Sequence, residues 1–102
     1  MTDYLTVYTP DQDVQVDTGK GHVAGVVVSS ASTTPGAMEL YDYAGAGPPT
    51  GPGILLVSVT AYSPVILLFN DRFAPRFADG LWLHLASDCY LTLWHHVPLV
   101  QT

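Results

Sequence analysis

Basic side chains are almost missing from this sequence. Lys20, Arg72 and Arg76 are all it has, against nine aspartates and glutamates, and the net charge is −6. A surface that grips phosphates needs clustered Lys and Arg, so no nucleic-acid partner is expected, and an anionic membrane surface is disfavoured for the same reason. Charge of either sign is scarce: charged residues make up 12% of the 102 residues, where about 25% is usual. One cysteine, Cys89, excludes an internal disulfide and is expected as a small buried hydrophobe in or beside a strand. No apolar run approaches the roughly 18 residues of a membrane helix. Met1–Asp13 lacks a basic stretch followed by an apolar one, so no secretory leader is expected. Apolar positions never recur at a helical period for more than two turns.

What is present is apolar, 48% of residues, and it comes in short alternating runs. Asp3–Tyr8, Val14–Val16, His22–Ser30, Ala37–Tyr43, Ile54–Thr60, Val65–Phe69, Leu81–Ala86 and Tyr90–Val97 read as strands, separated by Gly, Pro, Asp and Ser turns. The expected fold is one all-β domain, an antiparallel β-sandwich or jelly roll of about seven or eight strands. Within it, Met1–Gly21 reads as an N-terminal arm or edge strand and 22–102 as the body. Met1–Asp13 is expected to contact a neighbouring molecule instead of completing its own core. Ala44–Gly53 (AGAGPPTGPG) is expected as an exposed, mobile hairpin loop that reaches away from the body.

The end of the chain permits a register argument. If Leu81–Ala86 and Tyr90–Val97 pair around a three-residue loop Ser87–Cys89, then Leu85 faces Leu91, Leu83 faces Leu93 and Leu81 faces His95. The opposite face then carries Trp82 against Trp94 and His84 against Thr92, an aromatic patch that either a second sheet or a partner must cover.

Candidate chemistry is thin. His95 and His96, with His84, invite a metal, but neighbours in a strand point to opposite faces, and no C-x-x-C or H-E-x-x-H accompanies them. Asp11, Asp13 and Asp17 have the spacing of part of a calcium loop without its glycine and closing glutamate. Asp71 and Asp79 could pair as acid and base, but they flank a proline loop and read as turn formers. The glycines from Gly45 lack G-K-[ST], and no G-x-S-x-G occurs. No catalytic residue, metal or cofactor is expected, and the protein reads as a non-enzyme. The aromatics remain: Trp82, Trp94, His84, Tyr4 and Tyr8 are the candidate interface residues.

The runs HVAGVVVSSASTTPGAMELYDYAG from His22, ILLVSVTAYSPVILLFN from Ile54 and FADGLWLHLASDCYLTLWHH from Phe77 resemble small structural proteins of tailed bacteriophages, over roughly residues 22–96. The acidic arm Met1–Gly21, the His95-His96 pair and the tryptophans at 82 and 94 depart from that pattern, and no catalytic residue transfers. The resemblance implies a β-sandwich in the virion, a capsid decoration protein that forms a homo-oligomer, a trimer of its own copies, and stabilises the head by binding a major capsid or other virion protein. The alternative expectation is a carbohydrate-binding β-sandwich module on a virion or cell surface, with tryptophan faces stacking on sugar rings.

Overall fold

A computed structural model describes residues 2–30, 33, 35–60 and 62–98. Every regular element among them is a strand: β1 (Thr2–Tyr8), β2 (Gln12–Thr18), β3 (Gly21–Ser30), β4 (Gly36–Asp42), β5 (Leu55–Val59), β6 (Val65–Leu68), β7 (Arg76–Phe77), β8 (Gly80–Leu85) and β9 (Cys89–Val97). They form two antiparallel sheets. Sheet A runs β1-β9-β3-β6, with the short β7 also on β3, and sheet B runs β2-β8-β4-β5.

That order is a jelly roll. Folded at the β4–β5 loop, the chain pairs β4 with β5, β3 with β6, β2 with β8 and β1 with β9, a long hairpin rolled so that successive strand pairs fall in opposite sheets. Two of the tight crossings between sheets are made by aspartates in the left-handed region, Asp11 (φ 63°) after β1 and Asp88 (φ 65°) before β9, and the β2–β3 crossing turns on Gly19 (φ 93°). Asp tolerates this conformation better than most side chains. The two aspartate corners are tied together, since the Asp11 N–H donates to the Ala86 carbonyl at 3.3 Å.

Period-2 alternation fills the space between the sheets. Leu81, Leu83 and Leu85 of β8, Met38 and Leu40 of β4, and Val57 and Val59 of β5 face inward from sheet B. Val23, Val26 and Val28 of β3 and Cys89, Leu91 and Leu93 of β9 meet them from sheet A. Val23 and Val26 both point inward because the β3–β9 register shifts between Val23 and Gly25, a bulge that flips the face of the strand. Cys89 is fully buried at the start of β9.

Two sequence expectations are corrected here. β8 and β9 do not pair: they belong to different sheets, so the leucines agree because they pack across the sandwich. Facing sheets and paired strands impose the same alternation, and the pattern alone does not separate them. The N-terminal segment is no free arm either. β1 pairs with β9 from Thr2↔Val97 to Tyr8↔Leu91, and β2 pairs with β8, so both are edge strands of the chain's own sheets.

Candidate interaction surface

The two outer faces differ in chemistry. On sheet B the outward residues are mostly polar and tied to one another. Trp82 Nε1 donates to Asp13 Oδ1 at 2.6 Å, His84 Nδ1 lies 3.5 Å from Asp13 Oδ2, and the Tyr41 hydroxyl donates to Glu39 Oε2 at 2.7 Å. That last bond, reinforced by burial, pushes the Tyr41 pKa up to about 12. Gln15 Nε2 reaches the carbonyls of Asp17, Tyr43 and Leu81, and Tyr43 stands edge-on to Trp82 with ring centroids 5.6 Å apart. The Gly/Pro loop does not reach away from the body as expected. Pro48 and Pro49 fold back beside Asp13, Glu39, Tyr41 and His84.

Sheet A is the reverse. Its register places Leu5, Trp94, Gly25 and Leu68 in one cross-strand row, and Val7, Thr92, Val27 and Ile66 in the next. Leu5, Val7, Trp94, Val27, Ile66 and Leu68 are all exposed large hydrophobic side chains. No charged residue stands in either row. Gly25 lets the Leu68 side chain lie over the centre of the row: a Cβ there would come 2.8 Å from Leu68 Cδ2. Tyr90 is also exposed and pairs with Ser29 one row further along.

The expected interface residues separate accordingly. Trp82 is 7% exposed on sheet B and Trp94 42% exposed on sheet A, on the outer surfaces of opposite sheets. They form no shared patch, and His84 does not face Thr92. Hydrogen bonding to Asp13 and the cover of Tyr43 explain the burial of Trp82. Tyr4 and Tyr8 share the inward-pointing side of β1, Tyr8 packed against the core and Tyr4 stacked on His95 with centroids 5.2 Å apart. The outward positions of β1 are Asp3, Leu5 and Val7, and the aromatic criterion passed over the apolar pair. Their signal was the odd-even phase of β1, and its meaning depends on which side of the strand the core lies.

His95 and His96 do point to opposite faces, as expected of neighbours in a strand. His95 turns inward, and its Nε2 lies 3.1 Å from Asp17 Oδ2, linking sheet A to sheet B. His96 turns outward to Asp3 and packs on His22, ring centroids 4.7 Å apart. His22 Nε2 lies 3.5 Å from Asp71 Oδ1. The histidines thus tie the ends of β1, β2, β3 and β9 by paired contacts, and among the described residues no group of three or more His, Cys, Asp or Glu is arranged to hold a metal ion. Asp42, expected only as one position of an alternating strand, anchors the turn before β8: its Oδ1 accepts from the backbone N–H groups of Ala78 (3.0 Å), Asp79 (2.8 Å) and Gly80 (3.4 Å). Burial would raise its pKa, and the three donors more than offset that and hold it below the ordinary value.

These features define a jelly-roll domain with one polar and one apolar outer face. Comparison with protein-family models, curated proteins and solved structures finds no match to this chain.

Proposed function

We propose that this protein is a subunit of a larger assembly, docked through the outer face of sheet A, and that the assembly is a phage virion in which it decorates the capsid. The observation that carries the docking reading is the apolar sheet A face. The core between the sheets is filled without it, so folding does not require Leu5, Val7, Trp94, Ile66 or Leu68 to be apolar. Monomeric proteins rarely leave such a continuous apolar strip in water, and burial against a partner removes the cost. The virion assignment rests on the resemblance of residues 22–96 to phage structural proteins, and the jelly roll is an architecture that capsid proteins use. Copies of the chain, as a trimer, together with a major capsid protein are the partners. Surface buried across capsid joints stabilises the shell by mass action. The carbohydrate reading is less favoured, because Trp82 is covered and the cross-strand neighbours of Trp94 are Leu5 and Gly25, with Leu68 beyond, although His96 stands beside its ring at 6.3 Å between centroids.

The test is co-sedimentation of purified protein with expanded phage capsids, alongside sedimentation velocity of the protein alone. Concentration-dependent self-association and capsid binding, both abolished by polar substitutions on sheet A, support the proposal. A protein that stays monomeric at high concentration and pellets with no capsid overturns it.

A further inference from the structure

Sheet A has two free edges, β1 at one end of its strand order and β6 at the other. A free edge leaves a row of backbone N–H and C=O groups unpaired, and proteins usually blunt it with proline, lysine, a bulge or a very short strand. β2, an edge of sheet B, carries Asp13 and Asp17 and is bent by a register shift between Gln15 and Asp17. β1 has none of these devices. It pairs with β9 without interruption from Thr2 to Tyr8 and contains no proline, lysine or glycine. Its one charge, Asp3, is taken up by His96. β6 is short, but all four of its residues, Val65–Leu68, are apolar.

One bond fixes the direction of the free backbone groups. The Phe69 N–H donates to the Ala24 carbonyl at 2.8 Å, so Phe69 turns its backbone toward β3. Backbone groups alternate along an antiparallel ladder. Val65 and Leu67 therefore also face β3, and Ile66 and Leu68 present their N–H and C=O at the free edge. Carried through the registers of β3 and β9, the same alternation turns the backbone of Leu5 and Val7 to the free edge of β1. Three antiparallel pairings separate β1 from β6, so the two strands run in opposite directions and meet antiparallel when copies line up head to tail.

The side chains of the two edges also match. A register that sets Leu5 opposite Leu68 of the partner subunit sets Val7 opposite Ile66 of the partner subunit. On the inward side it brings Tyr4 against the partner's Phe69, Thr6 against the partner's Leu67 and Tyr8 against the partner's Val65. These inward side chains stand at the open flanks of the sandwich: Tyr4 is 45% exposed, and Tyr8, Val65, Leu67 and Phe69 are only partly buried. Aromatic and branched pairs across strands are stabilising. Sliding the register by two residues sets Asp3 against Leu68 or Leu5 against Asn70, and sliding it by one turns the apolar faces apart.

We propose that copies of this chain join edge to edge and head to tail, β1 of one hydrogen-bonded to β6 of the next, so that sheet A runs on from subunit to subunit. The occupant of each edge is a second copy because this one contact covers both free edges and continues both apolar rows of sheet A across the junction. Two-fold pairing of β1 with its own copy also opposes Leu5 to Val7, but it leaves the β6 edge in water. A head-to-tail contact closes into a ring or runs on as a filament, and a trimer is the closed case. The inference rests on the docking reading for self-association, and it leaves the outer face of sheet A open to the capsid.

Proline tests the backbone bonds directly. Val7→Pro and Ile66→Pro each remove an N–H that faces a free edge, where a strand tolerates proline. Val7→Thr and Ile66→Thr keep that N–H and lose comparable apolar surface. In sedimentation velocity the unmodified chain should assemble as concentration rises. Each proline variant, checked as folded by circular dichroism, should associate roughly tenfold more weakly than its threonine counterpart, what a lost hydrogen bond with an orphaned acceptor is worth. Mixing the two proline variants should restore a complex of two chains and no more, because one keeps an intact β6 and the other an intact β1. A readout that needs no variant is amide exchange by NMR: the amides of Leu5, Val7, Ile66 and Leu68 should exchange fast in dilute protein and become protected on assembly. Association of Ile66→Pro like the unmodified chain indicates two-fold β1 pairing and overturns the proposal, as does assembly that leaves those four amides unprotected. Either result leaves docking through the sheet A face standing, whereas assembly and capsid binding undiminished by Ile66→Thr with Leu68→Thr refute the docking reading itself. A chain that stays monomeric at high concentration overturns the edge pairing outright.

Discussion

Ile66 and Leu68 offer the most direct way to separate docking from folding. Both sit on β6, an edge strand of sheet A, and both point into water, with 63% and 71% of their surface exposed. Burying such a side chain completely is worth about 1.5–3 kcal/mol. With roughly two thirds still exposed, the pair holds about 3 kcal/mol of unrealised burial per chain. Threonine retains one methyl and the β-branched shape that strands favour, so Ile66→Thr with Leu68→Thr removes about 2 kcal/mol of that while preserving β6. In association this is about a 30-fold weaker complex for each chain at the interface. In folding the change should stay within about 0.5 kcal/mol, the usual range for surface substitutions. Sedimentation equilibrium measures the first quantity and urea unfolding the second. A double variant that unfolds much earlier but associates like the parent would refute the assignment of sheet A as the docking face.

Three further outcomes follow from the described contacts. Trp82→Ala should cost about 3–5 kcal/mol in urea unfolding, as for large buried aromatics, and leave association unchanged, because its ring is covered by its own sheet. Stability should fall as pH drops below about 6.5, the ordinary histidine value. The cause is His22, whose pKa burial pushes down, with His96 and Arg76 adding to the effect and Asp71 opposing it; the unfolded chain therefore takes up a proton that the folded chain refuses. Urea midpoints between pH 7 and 5 check this, and His22→Asn should flatten the slope. Cys89 should be inert to a thiol reagent in native buffer and react once unfolded, since it is fully buried and burial raises its pKa above the ordinary thiol value; rapid labelling of the folded protein would contradict its placement.

The sequence by itself determined the class of the fold and most strand positions, because short alternating runs broken by Gly, Pro and Asp leave a chain few ways to bury its valines and leucines. His22–Ser30 is found as Gly21–Ser30 and Tyr90–Val97 as Cys89–Val97, while Val14–Val16 proved to be the middle of a longer strand. The burial of Cys89 was also legible, since a lone thiol beside leucines has little else to do. Only the tertiary structure decided which strands are neighbours. Alternation states that Leu81, Leu83 and Leu85 share a face with one another, and Leu91 and Leu93 likewise; it is silent on whether the two sets meet side by side in one sheet or face to face across two. That difference moved Trp82 and Trp94 from one imagined patch to opposite surfaces, and it brought Leu5, Trp94 and Leu68 into one row. His22 and Arg76 likewise meet only because β3 pairs with β7 at Gly21↔Phe77 and His22↔Arg76. Pairing over such sequence distances is set by the closure of the whole jelly roll, in which each strand's place depends on every other, and no local pattern of residues encodes it.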